Sequence, residues 1–363
     1  YLILISYVLI RLFFYKNFFY FHKYLLMLTI YISIISALNM YQLNLFSITM
    51  INRITMSFII NIIIACVIPL INIDNLYKSF LFIGSIAMAI MFYQSIRLFL
   101  LDIPATPITI LPIASKNAHY WDYFRGTRPS SLFTEPQAYA SYMLPLLILS
   151  LKKNNEIISF LISLSIFLST STQGLILVGI IYLYFIFIEK GNRNQKIILA
   201  IFSAILLFLL IYFDVFSFTI EKMLSLSLRN NIRLTRGFQI YNTFNIQDKI
   251  LGINNTIQNY LIHNTNFLWV SSYLGAKREF LLGYTTTVSG ILLEFGLVAG
   301  FLFLFMIYKM YKNEDHRMRI FLLVIFILSF TQTLLYNPWF VFYYSIYLGC
   351  CNHNIYNKNY IKL

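Results

Sequence analysis

The sequence predicts an all-α integral membrane protein, a polytopic helical bundle of about eleven transmembrane helices. The chain has 363 residues, of which 59% are hydrophobic and only 11% are charged. That is more apolar surface than a soluble domain of this length can bury. Apolar runs recur at roughly the ~17 to 25 residues that a helix needs to cross a bilayer, without the strict alternation of membrane strands. We therefore expect a single membrane domain over residues 1–363.

The apolar runs place the helices one by one. The predicted spans are 1–15, 24–42, 54–73, 79–101, 137–151, 156–170, 173–188, 197–213, 285–308, 319–335 and 337–350. Because the chain begins at Tyr1 inside an apolar run, a twelfth helix ahead of it in the intact protein is an alternative.

Orientation follows from the basic residues of the short connections. Lys and Arg recur in every second connection, for example at Lys152 and Lys309, and such loops lie on the cytoplasmic side. Two long segments, 102–136 and 214–284, then lie outside. We interpret the net charge of +14 mainly as this bias. Nucleic-acid binding is a poor interpretation, because no soluble basic domain is present to carry it.

The first outer segment ends in FRGTRPSSLFTEPQ, which raises the question of a site. Arg125 and Arg128 fall in an irregular loop, because the proline after Arg128 biases it away from helical geometry. Either these arginines are solvated in a surface loop, or they form part of a functional site. Glu135 precedes a helix start, where it either complements the helix dipole or accepts a proton from a sugar hydroxyl. Tyr139 lies one turn further on and either lines a glycan or isoprenoid groove or packs in the core.

The second outer segment carries three arginines at helical spacing. Arg229, Arg233 and Arg236 are four and three residues apart, so their side chains share one helix face. One interpretation is an interfacial helix whose cations reach membrane lipid headgroups. The other is a diphosphate cradle, because the planar guanidinium binds phosphate oxygens bidentately.

Two polar features interrupt the apolar helices. Residues 169–174 are Ser, Thr, Gln and Gly between two short apolar halves, and we expect this break to face protein or a water-filled cavity. Glu294 is an ionisable group within an apolar helix, which makes it a functional candidate or a partnered structural carboxyl. Gly296 and its neighbouring glycines suggest close helix packing. Cysteines and histidines show no metal-ligand spacing, so no metal is expected.

The order of these parts resembles a known family. The stretch R-x-x-R-P-S-S-L-F-T-E-P-Q-A-Y-A, the Ser/Thr break, an arginine-bearing segment followed by ILGINN, and S-G-x-x-x-E-x-G-x-x-x-G are similar to Wzy-type O-antigen and capsular polysaccharide polymerases, over about residues 120 to 345. The resemblance implies a glycosyltransferase of the bacterial cytoplasmic (inner) membrane. Such an enzyme joins polyprenyl-diphosphate-linked oligosaccharide repeats on the outer face, needs no metal or cofactor, and works beside a chain-length regulator protein.

The resemblance implies a first outer site with Arg125, Arg128 and Glu135 and a second with Arg233 and Arg236. Together with the residue chemistry, it predicts that Arg233 and Arg236 bind the donor diphosphate. Arg128 then positions the acceptor or the second phosphate, and Glu135 is the general base.

Two related functions are alternatives. O-antigen ligases typically carry a histidine ten residues before the first glycine of the last motif, and counting back from Gly296 gives Thr286 instead. A flippase for the same lipid-linked oligosaccharide predicts charges inside several helices, whereas the cations here concentrate in the outer segments. A purely structural membrane subunit gives no reason for a one-faced arginine helix.

Overall fold

The structure is a computed structural model, and it describes residues 20–42, 48–67, 73–103, 128–133, 135–188, 193–212, 232–253, 285–313, 319–332, 338–350 and 360–362. The described chain is helical apart from two three-residue strands. Strand β1 (Tyr20–His22) pairs antiparallel with β2 (Tyr360–Lys362).

Twelve α-helices lie between these strands in the described residues. They are α1 (Lys23–Gln42), α2 (Ile48–Val67), α3 (Ile73–Leu101), α4 (Pro136–Lys152), α5 (Glu156–Leu168), α6 (Thr172–Leu183, continued by a π-helical turn Tyr184–Ile188), α7 (Arg193–Tyr212), α8 (Ile232–Asn242), α9 (Ile246–Leu251), α10 (Thr287–Asn313), α11 (Arg319–Thr331) and α12 (Pro338–Cys350). Each predicted span from 24–42 onward overlaps one of these helices, while the predicted span 1–15 lies outside the described residues.

Two of the described helices are long and apolar enough to cross a membrane. They cover Asp74–Leu101 and Thr287–Lys312, and the other apolar helices are shorter. The predicted fold class is therefore confirmed at its coarser level, as a helical chain with two helices of membrane-spanning length and composition.

By contact the chain divides into two compact units. The first unit comprises Tyr1–Ile71 with Ser227–Leu363, and the second comprises Asn72–Leu226.

In the second unit, α4 is the central helix and packs against α3, α5 and α6. Its apolar residues surround the helix axis, and Leu144, Leu146 and Leu147 are fully buried, as expected of a helix that is apolar all round. A Cβ on Gly84 of α3 would lie 2.5 Å from the Leu146 side chain, so the missing side chain allows α3 and α4 to approach closely.

In the first unit, the central helix is α10. It packs against α1, α8, α9 and α11, and Phe295, Ala299 and Phe303 lie buried along it. The helix is interrupted at Gly296, whose backbone is non-helical with φ 75° and ψ −173°.

Candidate functional site

The loop that leads into α4 is fixed by a buried glutamine of α3. Gln94 Oε1 accepts hydrogen bonds from the backbone N–H groups of Ser130 (3.2 Å) and Ser131 (2.7 Å), and Gln94 Nε2 donates to the Ser131 carbonyl at 3.3 Å. The Ser131 hydroxyl donates to the carbonyl of Ala87 at 2.6 Å. These bonds satisfy buried backbone groups and hold Ser131 at φ 56°.

Arg128 ties this loop to the end of α5. Its Nε donates to the Thr170 hydroxyl at 3.0 Å, and its Nη2 donates to the Thr170 carbonyl at 2.6 Å. A cation at a helix C-terminus is favoured by the helix dipole, and charge-assisted bonds are the stronger kind. Thr170 has φ 53°, a conformation that β-branched residues rarely adopt. The planar guanidinium thus holds a strained turn.

The polar break 169–174 is a tight turn between α5 and α6. Ser169, Thr170 and Ser171 are buried, which agrees with the expectation that the break faces protein. The Ser171 hydroxyl caps α6 by accepting from the Gly174 N–H at 3.3 Å. A Cβ on Gly174 would lie 2.7 Å from that of Ala140, so the first turns of α6 and α4 lie side by side.

Where these two first turns meet, two glutamines face each other. Gln137 Nε2 donates a hydrogen bond to Gln173 Oε1, and the pair is half-buried. We call the five residues Arg128, Glu135, Gln137, Thr170 and Gln173 the entrance cluster.

Glu135 is the N-cap residue of α4, but its carboxylate does not do the capping. The backbone is extended (φ −142°, ψ 148°), and its carbonyl accepts from the N–H groups of Ala138 and Tyr139 at 3.0 and 3.2 Å. Within the described residues the side chain makes no capping hydrogen bond, and it is exposed. The carboxylate is therefore accessible at the start of a helix, where the dipole favours its charge.

Tyr139 belongs to the core. It is 0% exposed, its hydroxyl donates to Ser165 Oγ at 2.7 Å, and its ring packs edge-on against Phe133. The groove-lining role is corrected to packing, because a fully buried and hydrogen-bonded ring offers no surface to a ligand.

Helix α8, which carries Arg236, packs against the start of α10 at Gly237. A Cβ on this glycine would overlap the side chain of Ser289. Ser289 and Thr286 are joined by reciprocal side chain to backbone bonds, with Thr286 N–H donating to Ser289 Oγ at 2.9 Å. The Thr287 N–H and hydroxyl each donate to the Gln332 carbonyl at 2.8 Å. Arg236 is thus carried by a helix that is packed closely onto a capped helix start.

Of the other predicted arginines, the structure describes the backbone of Arg233 alone. Arg233 lies one turn before Arg236 in α8, as the spacing predicts. Arg125 and Arg229 lie outside the described residues.

Near the end of α8, the Tyr241 hydroxyl donates a hydrogen bond to the Lys249 carbonyl at 3.0 Å. Partial burial raises the pKa of this phenol.

Glu294 lies at the interruption of α10, against the backbone of the ILGINN segment. The Ile253 N–H donates to the Leu293 carbonyl at 2.9 Å. Gly252 has φ 77° and ψ 164°, and a Cβ there would lie 2.5 Å from the Glu294 carbonyl. A Cβ on Gly296 would lie 2.7 Å from the Gly252 nitrogen. Glycine is required at both positions by the backbone conformation as well as by space.

The structure brings some of the predicted residues together within each unit. In the second unit Arg128 contacts the Ser/Thr break beside α4, whose N-cap residue is Glu135. In the first unit α8, which carries Arg236, and α9 with the Gly252 and Ile253 that follow it both pack against α10, which carries Glu294. Sequence reasoning missed Gln94, and it gave no individual role to Gln137 or to Gln173 of the polar break. A lone amide in an apolar helix was the available signal for Gln94.

Among the described residues, no group of three or more His, Cys, Asp or Glu side chains could hold a metal ion. Comparison with known proteins gives no match to a family model, a curated protein or a solved structure.

Proposed function

We propose that this chain is a multi-pass protein of the bacterial cytoplasmic membrane and a polysaccharide polymerase. In this proposal it joins polyprenyl-diphosphate-linked oligosaccharide repeats into O-antigen or capsular polysaccharide on the outer face. The 102–136 and 214–284 segments lie on that face, following the positive-inside pattern of the short connections.

The entrance cluster is the observation that carries the proposal. An exposed carboxylate, a pair of half-buried amides and an anchored guanidinium lie at the ends of α4, α5 and α6. The guanidinium and the amides are hydrogen-bonded and the carboxylate is exposed, so these groups avoid most of the cost of buried, unpaired polar groups. A glycosyl transfer needs such groups: a base for the attacking hydroxyl and donors and acceptors that orient sugar.

The proposed reaction is one displacement. Glu135 accepts the proton of an acceptor sugar hydroxyl as that oxygen attacks the anomeric carbon of the donor glycan. The bond between this carbon and the carrier diphosphate breaks, and polyprenyl diphosphate leaves with the bonding electrons. Arg128 is a positioning residue here, since its guanidinium is hydrogen-bonded to Thr170.

Four arginines supply the electrostatic part of the proposal. Arg233 and Arg236 bind the donor diphosphate and stabilise the charge that develops on it as it leaves, and Arg125 and Arg229 add further cations. The proposal includes no metal ion or cofactor, and it includes a chain-length regulator as a protein partner.

The test is complementation of a strain that lacks its matching polymerase. The intact chain is compared at matched expression with Arg128→Ala, Glu135→Ala and Arg233→Ala, and the length ladder of the surface glycan is measured. We expect the intact chain to restore a ladder and the variants to leave single capped repeats. If no repeat reaches the surface without the chain, flipping or ligation replaces polymerisation. Normal ladders from all three variants would exclude these residues as the site.

A further inference from the structure

We propose that Gln137 and Gln173 form the subsite that recognises hydroxyl groups of the acceptor repeat unit. This inference rests on the proposed function and adds to it the residues that select the sugar. No part of the sequence prediction assigned either glutamine.

The two glutamines come from different helices and meet at a defined place. Gln137 is in the first turn of α4, two residues after the exposed Glu135, and Gln173 is in the first turn of α6. Their side chains are hydrogen-bonded amide to amide across the gap. A sugar held by this pair would therefore lie at the same end of α4 as the carboxylate that is proposed to take its proton.

The pair is held in place from both sides. Gly174 lets α6 lie against Ala140 of α4, and Arg128 fixes the turn that precedes α6 through Thr170. Both glutamines are half-buried as residues, while the Nε2 atom of Gln173 is buried. A preorganised site with partial access to solvent suits a ligand that must enter, bind and leave along a growing polymer.

The chemistry of the amide fits a carbohydrate. Each carboxamide offers two N–H donors and a carbonyl with two lone pairs in one plane, and a sugar hydroxyl both donates and accepts. The bond between the two amides can be exchanged for bonds to a pair of neighbouring hydroxyls with the number of hydrogen bonds maintained. A site of this kind discriminates strongly, because a sugar that lacks the matching hydroxyl leaves amide groups unpaired.

The test measures sugar binding separately from polymerisation. The probe is the repeat-unit oligosaccharide released from its lipid diphosphate by mild acid, titrated into the full chain in detergent and followed by calorimetry. The variants are Gln137→Leu and Gln173→Leu, which nearly keep side-chain volume, and the double variant. Gln247→Leu is the control, because Gln247 is an exposed glutamine on α9.

We expect each single variant to weaken binding by roughly threefold to tenfold, the range for one or two hydrogen bonds, and the double variant by more. The control binds as the unchanged chain does, and thermal unfolding shows that all variants fold. Equal binding by the double variant and the unchanged chain overturns the subsite. So does absence of binding to the unchanged chain at millimolar oligosaccharide.

The outcomes separate this inference from the proposed function. If the chain restores a glycan ladder and the glutamine variants bind the oligosaccharide normally, polymerisation stands and the subsite is wrong. If the variants lose binding while the unchanged chain restores no ladder, the glycan subsite stands and the polymerase proposal fails.

Discussion

The guanidinium of Arg128 binds both the hydroxyl and the carbonyl of Thr170, forty-two residues further along the chain. This contact joins the loop before α4 to the turn between α5 and α6. The sequence predicts that Arg128 positions the acceptor or the second phosphate, and in the structure its guanidinium is hydrogen-bonded within the protein.

Replacement of Arg128 by lysine tests this anchoring. Lysine keeps the charge but cannot present two N–H groups in one plane, so we expect Arg128→Lys to lower the free energy of unfolding by about 1–3 kcal/mol. Thermal unfolding in detergent measures the change. Arg193→Lys is the control, because Arg193 is exposed at the start of α7. A lysine variant as stable as the control would contradict the anchoring role.

A substitution at Glu135 should affect catalysis without affecting stability. Because its carboxylate is exposed and does not cap α4, we expect Glu135→Gln to change the free energy of unfolding by less than ~0.5 kcal/mol. Its loss as a base should lower polymerisation about 10²–10⁴-fold, read from the glycan ladder and from turnover of lipid-linked repeats.

The matched control for Glu135 is Glu156→Gln, which alters an acidic residue in the first turn of α5. It should leave the ladder unchanged. If Glu135→Gln makes polymer of normal length, this carboxylate is not the general base. Its role is then to complement the dipole of α4.

The helices were predictable from sequence, whereas the entrance cluster was only partly so. Apolar runs locate α1 to α7 and α10 to α12, because burying apolar surface dominates helix packing. The contact of Gln94 with Ser131 links residues thirty-seven apart, and no local pattern encodes such a distance. Tyr139 shows a similar limit of sequence-based prediction. Its spacing from Glu135 places it one helical turn away, but does not tell whether the ring contacts a ligand or packs in the core.

Close packing of α8 on α10 is tested at Gly237 and Ser289. A Cβ at position 237 would overlap the Ser289 side chain, so Gly237→Ala should lower the free energy of unfolding by about 1–3 kcal/mol. In a Ser289→Gly background most of this cost should disappear. The double-mutant cycle should then give an interaction of roughly 1 kcal/mol or more.

Gly290→Ala provides the comparison for that cycle. It adds a methyl group next to Ser289, where the nearest atom is 4.0 Å away, so it should be tolerated. Additive effects of Gly237→Ala and Ser289→Gly would show that the two helices do not meet as described.

The crossing of the ILGINN segment with α10 gives the largest expected stability effect. Gly252 and Gly296 both have φ near +75° with extended ψ, a region that is essentially restricted to glycine. Each Cβ would also meet backbone atoms, which cannot move away as a flexible side chain does. We therefore expect Gly252→Ala and Gly296→Ala each to cost more than about 3 kcal/mol, the sum of strain and overpacking.

The control lies in α6, where a Cβ on Gly179 would meet nothing within 4 Å. Gly179→Ala should be neutral or stabilise the chain by up to about 1 kcal/mol, because alanine favours the helix. Unfolding temperature and yield of folded protein are compared across the three variants.

If Gly296→Ala behaves like Gly179→Ala, α10 is continuous through Glu294, and this carboxyl lies in an ordinary helix rather than at a backbone crossing. A loss confined to Gly252 and Gly296 supports the interruption. It also gives a reason for an ionisable group within this apolar helix, since a broken helix supplies backbone partners that an intact helix does not.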